Sequence, residues 1–180
     1  WRSWLVRGGY SLAIYGGFLT LWGATMLFDL KTIEQPVLWL TAVFGILSAV
    51  YTAFLFAQAR GRDFWQSPIL PFHMLVHSFM AGAAVMLLVG NWIGSSEQWT
   101  AFLKNVLVVS IGINMLTLLL ELVSKHPTED ARLVVKMILR GHYSKLFWGN
   151  VMLVGNILPL GVMWFGAGAL SPVVGVLVLA

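Results

Sequence analysis

This chain is expected to be all-α, a polytopic bundle of transmembrane helices. Its apolar content, the spacing of its charges and the alternation of its basic residues all lead there. Hydrophobic residues fill 59% of 180 positions and charged ones 10%, where a soluble domain carries about 25% charged residues. A chain so apolar cannot cover itself with polar surface, so its solvent is lipid. Runs without Asp, Glu, Lys or Arg extend over Gly8–Phe28 (21 residues), Gln35–Ala59 (25), Phe64–Ser96 (33), Asn105–Leu120 (16) and Leu146–Ala180 (35). One crossing takes about 20 helical residues. A membrane β-barrel would instead alternate apolar and polar residues over about ten positions, and these runs are apolar throughout.

The elements follow in order. Spans are expected near 9–29, 36–59, 69–92, 101–124 and 146–168, with the start of a sixth at 171–180. The fourth run is short, and Lys104 and Glu121 extend it by snorkelling towards the interfaces. Between the fourth and fifth spans, residues 125–145 form a loop with its own short helix. Thr128 caps it, Glu129 and Asp130 make an acidic first turn, and Gly141 is expected to end it in a left-handed turn. Ala131, Val134, Val135, Ile138 and Leu139 are set apart from Arg132, Lys136 and Arg140, the pattern of a helix lying on a bilayer or against a bundle. Pro159 should bend the fifth span. The chain starts at Trp1 and stops within an apolar run, and is read as a single membrane domain cut from a longer protein.

Orientation follows from the loops. The side holding the N-terminus carries Arg2, Arg7, Arg60, Arg62, Lys125, Arg132, Lys136, Arg140 and Lys145, and the opposite side only Lys31 and Lys104. This bias makes the basic side cytoplasmic, and the same distribution explains the net charge of +4 without nucleic acid.

Several chemistries are excluded within this stretch. With no cysteine, there is no disulfide, thiolate zinc site or cysteine-ligated iron–sulfur cluster. His73 and His77 stand one turn apart on one helix and cannot ligate opposite faces of a haem, so no haem is expected here. A Gly-rich phosphate loop, a His-Glu-x-x-His motif and a nucleophile elbow are all missing.

Polar residues in the hydrocarbon zone are costly and so informative. Counting ~1.5 Å per residue from the basic side, Tyr51 and His77 lie ~12 Å deep and Asn114 and Asn156 ~15 Å deep. His73 shares the face of His77, and Glu121 lies nearer the basic side. Glu121, His73, His77 and Tyr51 are therefore candidates for a proton path. Asn114 and Asn156 are read as interhelical packing residues. Trp22, Trp39 and Trp92 suit an interfacial belt, or a stack on a flat ring.

The loops also carry a resemblance. The segment Gln58-Ala59-Arg60-Gly61-Arg62-Asp63-Phe64-Trp65-Gln66-Ser67-Pro68, preceded by Tyr51-Thr52, resembles the NrfD/PsrC (polysulfide reductase-like) family of integral membrane subunits, also found in alternative complex III. So do Glu121 followed by His126-Pro127-Thr128-Glu129-Asp130, then Arg140-Gly141-His142-Tyr143, and the opening Ser3-Trp4-Leu5-Val6-Arg7-Gly8-Gly9. The resemblance covers the whole chain and corresponds to roughly helices three to eight of eight. It implies a bacterial inner-membrane subunit of a multi-subunit oxidoreductase that binds quinone (menaquinone or ubiquinone) without haem or cluster of its own. Its partner would be a ferredoxin-like iron–sulfur subunit, and proton translocation is implied for some members. The family's quinone pocket belongs to its first four-helix bundle, of which two helices are present; these offer Trp22, Asp29 and Trp39. Two other readings stay open: an ion or proton transporter, and a passive anchor for a soluble redox enzyme.

Overall fold

A computed structural model describes residues 3–58, 68–123 and 128–165, with seven helical segments and no strand among them. Of the sequence features above, Ala59 to Ser67, Lys125 to Pro127, the end of the fifth span and the segment 171–180 lie outside the described residues. The helices are α1 (Trp4–Leu27), α2 (Lys31–Ala57), α3 (Leu70–Ile93), α4 (Glu97–Val123), α5 (Glu129–Arg140), a π-helix (Leu146–Ile157) and α6 (Leu158–Phe165). Among the described residues, four stretches are long and apolar enough to cross a membrane: α2, α3, α4 and the joined segment Leu146–Trp164. At 24 residues α1 has the length as well, but Gly, Tyr, Thr and Trp dilute its apolar character. The all-α polytopic class expected from the sequence is the one observed. Helices α1 and α2 start a few residues before their apolar runs do, because Arg7, Lys31 and Glu34 remain helical at the ends.

The chain divides into two compact units, Trp1–Leu75 and Val76–Ala180. In the first, α1 and α2 form an antiparallel hairpin whose register is read from paired side chains. Trp4 stacks on Phe54 with ring centroids 4.6 Å apart, and Phe18 stacks on Phe44 at 5.4 Å. Between them, Ser11 and Ser48 share a hydrogen bond of 3.3 Å. Two glycines let rings sit against the opposing backbone: Gly8 receives the Tyr51 ring, and Gly45 the Tyr15 ring. Small residues matter here because lipid is as apolar as leucine, and close packing is what holds membrane helices together. The turn is closed by Asp29 at φ 53°, a left-handed conformation that Asp tolerates, with the Leu30 N–H donating to the Thr25 carbonyl.

In the second unit, Ala83 and Leu87 of α3 pack with Leu103, Leu107 and Ile111 of α4; Leu160, Val162 and Met163 of α6 cover them. The buried face of α4 runs Leu103, Leu107, Ser110, Ile111, Asn114 and Thr117, a helical stripe that is apolar at one end and polar at the other. Gly94 (φ 70°) makes the turn from α3 to α4.

One expectation needs correction. Gly141 is extended (φ −104°, ψ −150°), not left-handed. Its glycine is required for another reason: a Cβ there would stand 2.7 Å from Met137 Cα. The Thr128 cap is as expected, accepting from the Ala131 N–H at 3.3 Å. The fifth span is not α-helical throughout. It opens as twelve residues of π-helix and tightens to α only at Leu158. A proline ring clashes with the carbonyl four residues back in a straight α-helix, and a widened turn before buried Pro159 relieves that clash.

Candidate functional site

The polar layer of the second unit is a chain of hydrogen bonds across three spans. Asn156 Nδ2 donates to the Val151 carbonyl at 2.6 Å. Asn114 Nδ2 donates to Asn156 Oδ1 at 3.0 Å, and Asn114 Oδ1 meets His77 Nε2 at 2.9 Å. Both asparagines are 3% exposed, whereas His77 lies on the exposed face of α3. Thr117, one turn further along α4, turns its hydroxyl back on the Ile113 and Asn114 carbonyls. The local reason for this geometry is the π register. Its hydrogen bonds span five residues, which sets residue 156 over the carbonyl of residue 151.

Of the proton-path candidates, His73 and His77 share α3 one turn apart, and Glu121 stands half-buried near the end of α4. Tyr51 is half-buried in the α1–α2 hairpin, its ring against Gly8. A hydrogen-bonded partner of His77 is Asn114, a residue read from the sequence as packing. The shared depth of Asn114, Asn156 and His77 was the signal that could have joined them. Tyr51 lies at that depth too, so depth alone does not single out the partners.

The three quinone candidates sit on the α1–α2 hairpin in unlike surroundings. The Trp22 indole N–H is buried and has no hydrogen-bond partner among the described residues. Asp29 is 80% exposed at the turn and pairs with Lys31 at 3.4 Å. Trp39 is 65% exposed on the outer face of α2. Among the described residues, no three of His, Asp and Glu converge as metal ligands.

The fold and this layer define a class: a polytopic helical membrane protein with a polar network spanning three helices, its two asparagines buried. The chain belongs to the family described as "Polysulphide reductase, NrfD", whose profile matches residues 1–180. It is similar to a selenate reductase subunit of Mesobacillus selenatarsenatis, with 27% identity over 147 residues, 75% of this chain and 34% of the relative. The chain thus spans about a third of that relative's length. No solved structure matches it.

Proposed function

We propose that this chain is the part of a multi-subunit oxidoreductase that meets the quinone pool. In this reading it binds quinone or quinol within the bilayer, and electrons pass to or from a ferredoxin-like iron–sulfur subunit. Family membership sets this frame, and the relative named as a reductase subunit points the same way. The structural observation that carries the reading is Trp22. An unpaired N–H buried in an apolar setting costs about 1–3 kcal/mol, and a quinone carbonyl oxygen is an acceptor that would satisfy it. The indole offers an apolar face for the ring as well.

Trp22 would then hold one carbonyl, while Asp29 at the interface would exchange the proton that accompanies quinol chemistry with water. Trp39 would bound the site on its lipid side. Quinone supplies the two-electron chemistry; the protein supplies position and a proton route. His77 and Glu121 would form a proton path of their own on the side of the basic loops, with His73 one turn from His77 on α3. The basic side faces the cytoplasm of a bacterial inner membrane in this reading.

A second reading is favoured by one observation. The His77–Asn114–Asn156 chain holds an ionisable side chain in place within a single unit, which a proton transporter without redox chemistry would also need. Photoaffinity labelling of the intact complex with an azido-quinone separates the two. Labelled peptides from α1 or α2, lost on competition with unlabelled quinone, support the quinone site. Labelling confined to other subunits overturns it, and a proton flux that persists without quinone would then favour transport.

A further inference from the structure

We propose that Asn114 and Asn156 are positioning residues that fix His77 as its Nε2–H tautomer, leaving Nδ1 as the nitrogen that takes up and releases a proton. The assignment runs outward from one backbone atom. The Val151 carbonyl oxygen can only accept a hydrogen bond, so the Asn156 atom 2.6 Å away is its amide nitrogen. Asn156 Oδ1 is thereby turned towards Asn114, and the Asn114 atom 3.0 Å from it must also be the nitrogen. That turns Asn114 Oδ1 to His77 Nε2, at 2.9 Å. An amide oxygen has no proton to give, so Nε2 carries the hydrogen. In the neutral ring the lone pair then lies on Nδ1. Flipping either amide would set oxygen against oxygen or nitrogen against nitrogen in a setting that is 3% exposed, where water cannot repair the mismatch.

Two consequences follow. An amide nitrogen has no basic lone pair, so Asn114 and Asn156 orient His77 and do not conduct protons. A histidine that shuttles protons uses both nitrogens; with Nε2 held, His77 works from one side only. Protonation at Nδ1 leaves the bond to Asn114 intact and makes it charge-assisted, so His77 can cycle without disturbing the chain behind it. Any route through this layer therefore enters and leaves by the Nδ1 side and does not continue through α4 to the fifth span.

The purpose of this device rests on the proton-coupled reading above, but its geometry can be measured apart from it. The test is solid-state ¹⁵N NMR of the imidazole nitrogens in the intact complex, reconstituted in lipid and labelled at histidine. His77 is assigned by the signal lost in His77→Phe. At a pH where the ring is neutral, the expected spectrum shows protonated Nε2 and unprotonated Nδ1. In Asn156→Leu the anchor is gone and both tautomers should appear. A wild-type His77 with its hydrogen on Nδ1 overturns the assignment, and needs no variant to fold. An unchanged spectrum in Asn156→Leu shows that the asparagines do not set it. Neither result bears on quinone labelling, so failure of one reading is distinguishable from failure of the other.

Discussion

Asn156→Leu removes two interactions at once: the acceptor of Asn114 Nδ2 at 3.0 Å and the donor to the Val151 carbonyl at 2.6 Å. Both asparagines are 3% exposed, so water does not stand in for what is lost. In a soluble interior, stranding a buried polar group costs about 1–3 kcal/mol. Hydrogen bonds between helices in a bilayer measure lower, averaging ~0.6 and reaching ~1.7 kcal/mol. The Val151 bond lies within one helix, so the interhelical pair should dominate the loss. We expect Asn156→Leu to cost about 1–2 kcal/mol. Asn114→Leu should cost at least as much, because it also strips the partner of His77 Nε2. The double variant removes donor and acceptor together and should fall short of the summed single costs by about 0.6–1.7 kcal/mol. Reversible unfolding of the full-length protein in bicelles measures all three. Costs that add to within ~0.5 kcal/mol would refute the claim that these residues form one network.

Trp22→Phe keeps the aromatic bulk and deletes the unpaired N–H, so quinone affinity should fall about tenfold, the worth of one hydrogen bond, while the quinone-free protein is as stable or more so. A variant that binds quinone normally would remove Trp22 from the site. Gly8→Leu should disrupt the hairpin, because any Cβ at residue 8 collides with the Tyr51 ring. Overpacking of this kind costs about 1–3 kcal/mol, and a smaller residue at position 51 should restore most of the loss in the same unfolding assay. Thr128→Ala removes the side-chain cap of α5 and should cost about 1 kcal/mol locally, seen as faster amide exchange in Ala131 and its neighbours.

The helical class was legible because lipid imposes it: an uncharged run of 25 residues such as Gln35–Ala59 has one way to satisfy its backbone in hydrocarbon. The Thr128 cap was equally readable, being local chemistry. Gly141 was misread because glycine serves both left-handed turns and close approaches, and only the position of Met137 decides between them. The π-helix was hidden for a similar reason. Pro159 announces a disturbance, but whether the chain kinks or widens depends on what packs around it. The site was half legible. Depth counting placed His77, Asn114 and Asn156 at nearly one level, yet depth carries no rotation about the helix axis, and rotation makes partners. Trp22 stood out only as a tryptophan; that its N–H has no partner among the described residues is a property of the packed hairpin.

The central claim is that electrons cross between quinone and an iron–sulfur partner at this protein. Its most direct test is low-temperature EPR of the natively purified complex, its composition established by intact mass, before and after addition of quinol. The account predicts a stoichiometric iron–sulfur partner whose cluster signals respond to quinol, with the response slowed in Trp22→Phe. A complex without cluster-bearing partners, or clusters indifferent to quinol, would contradict it.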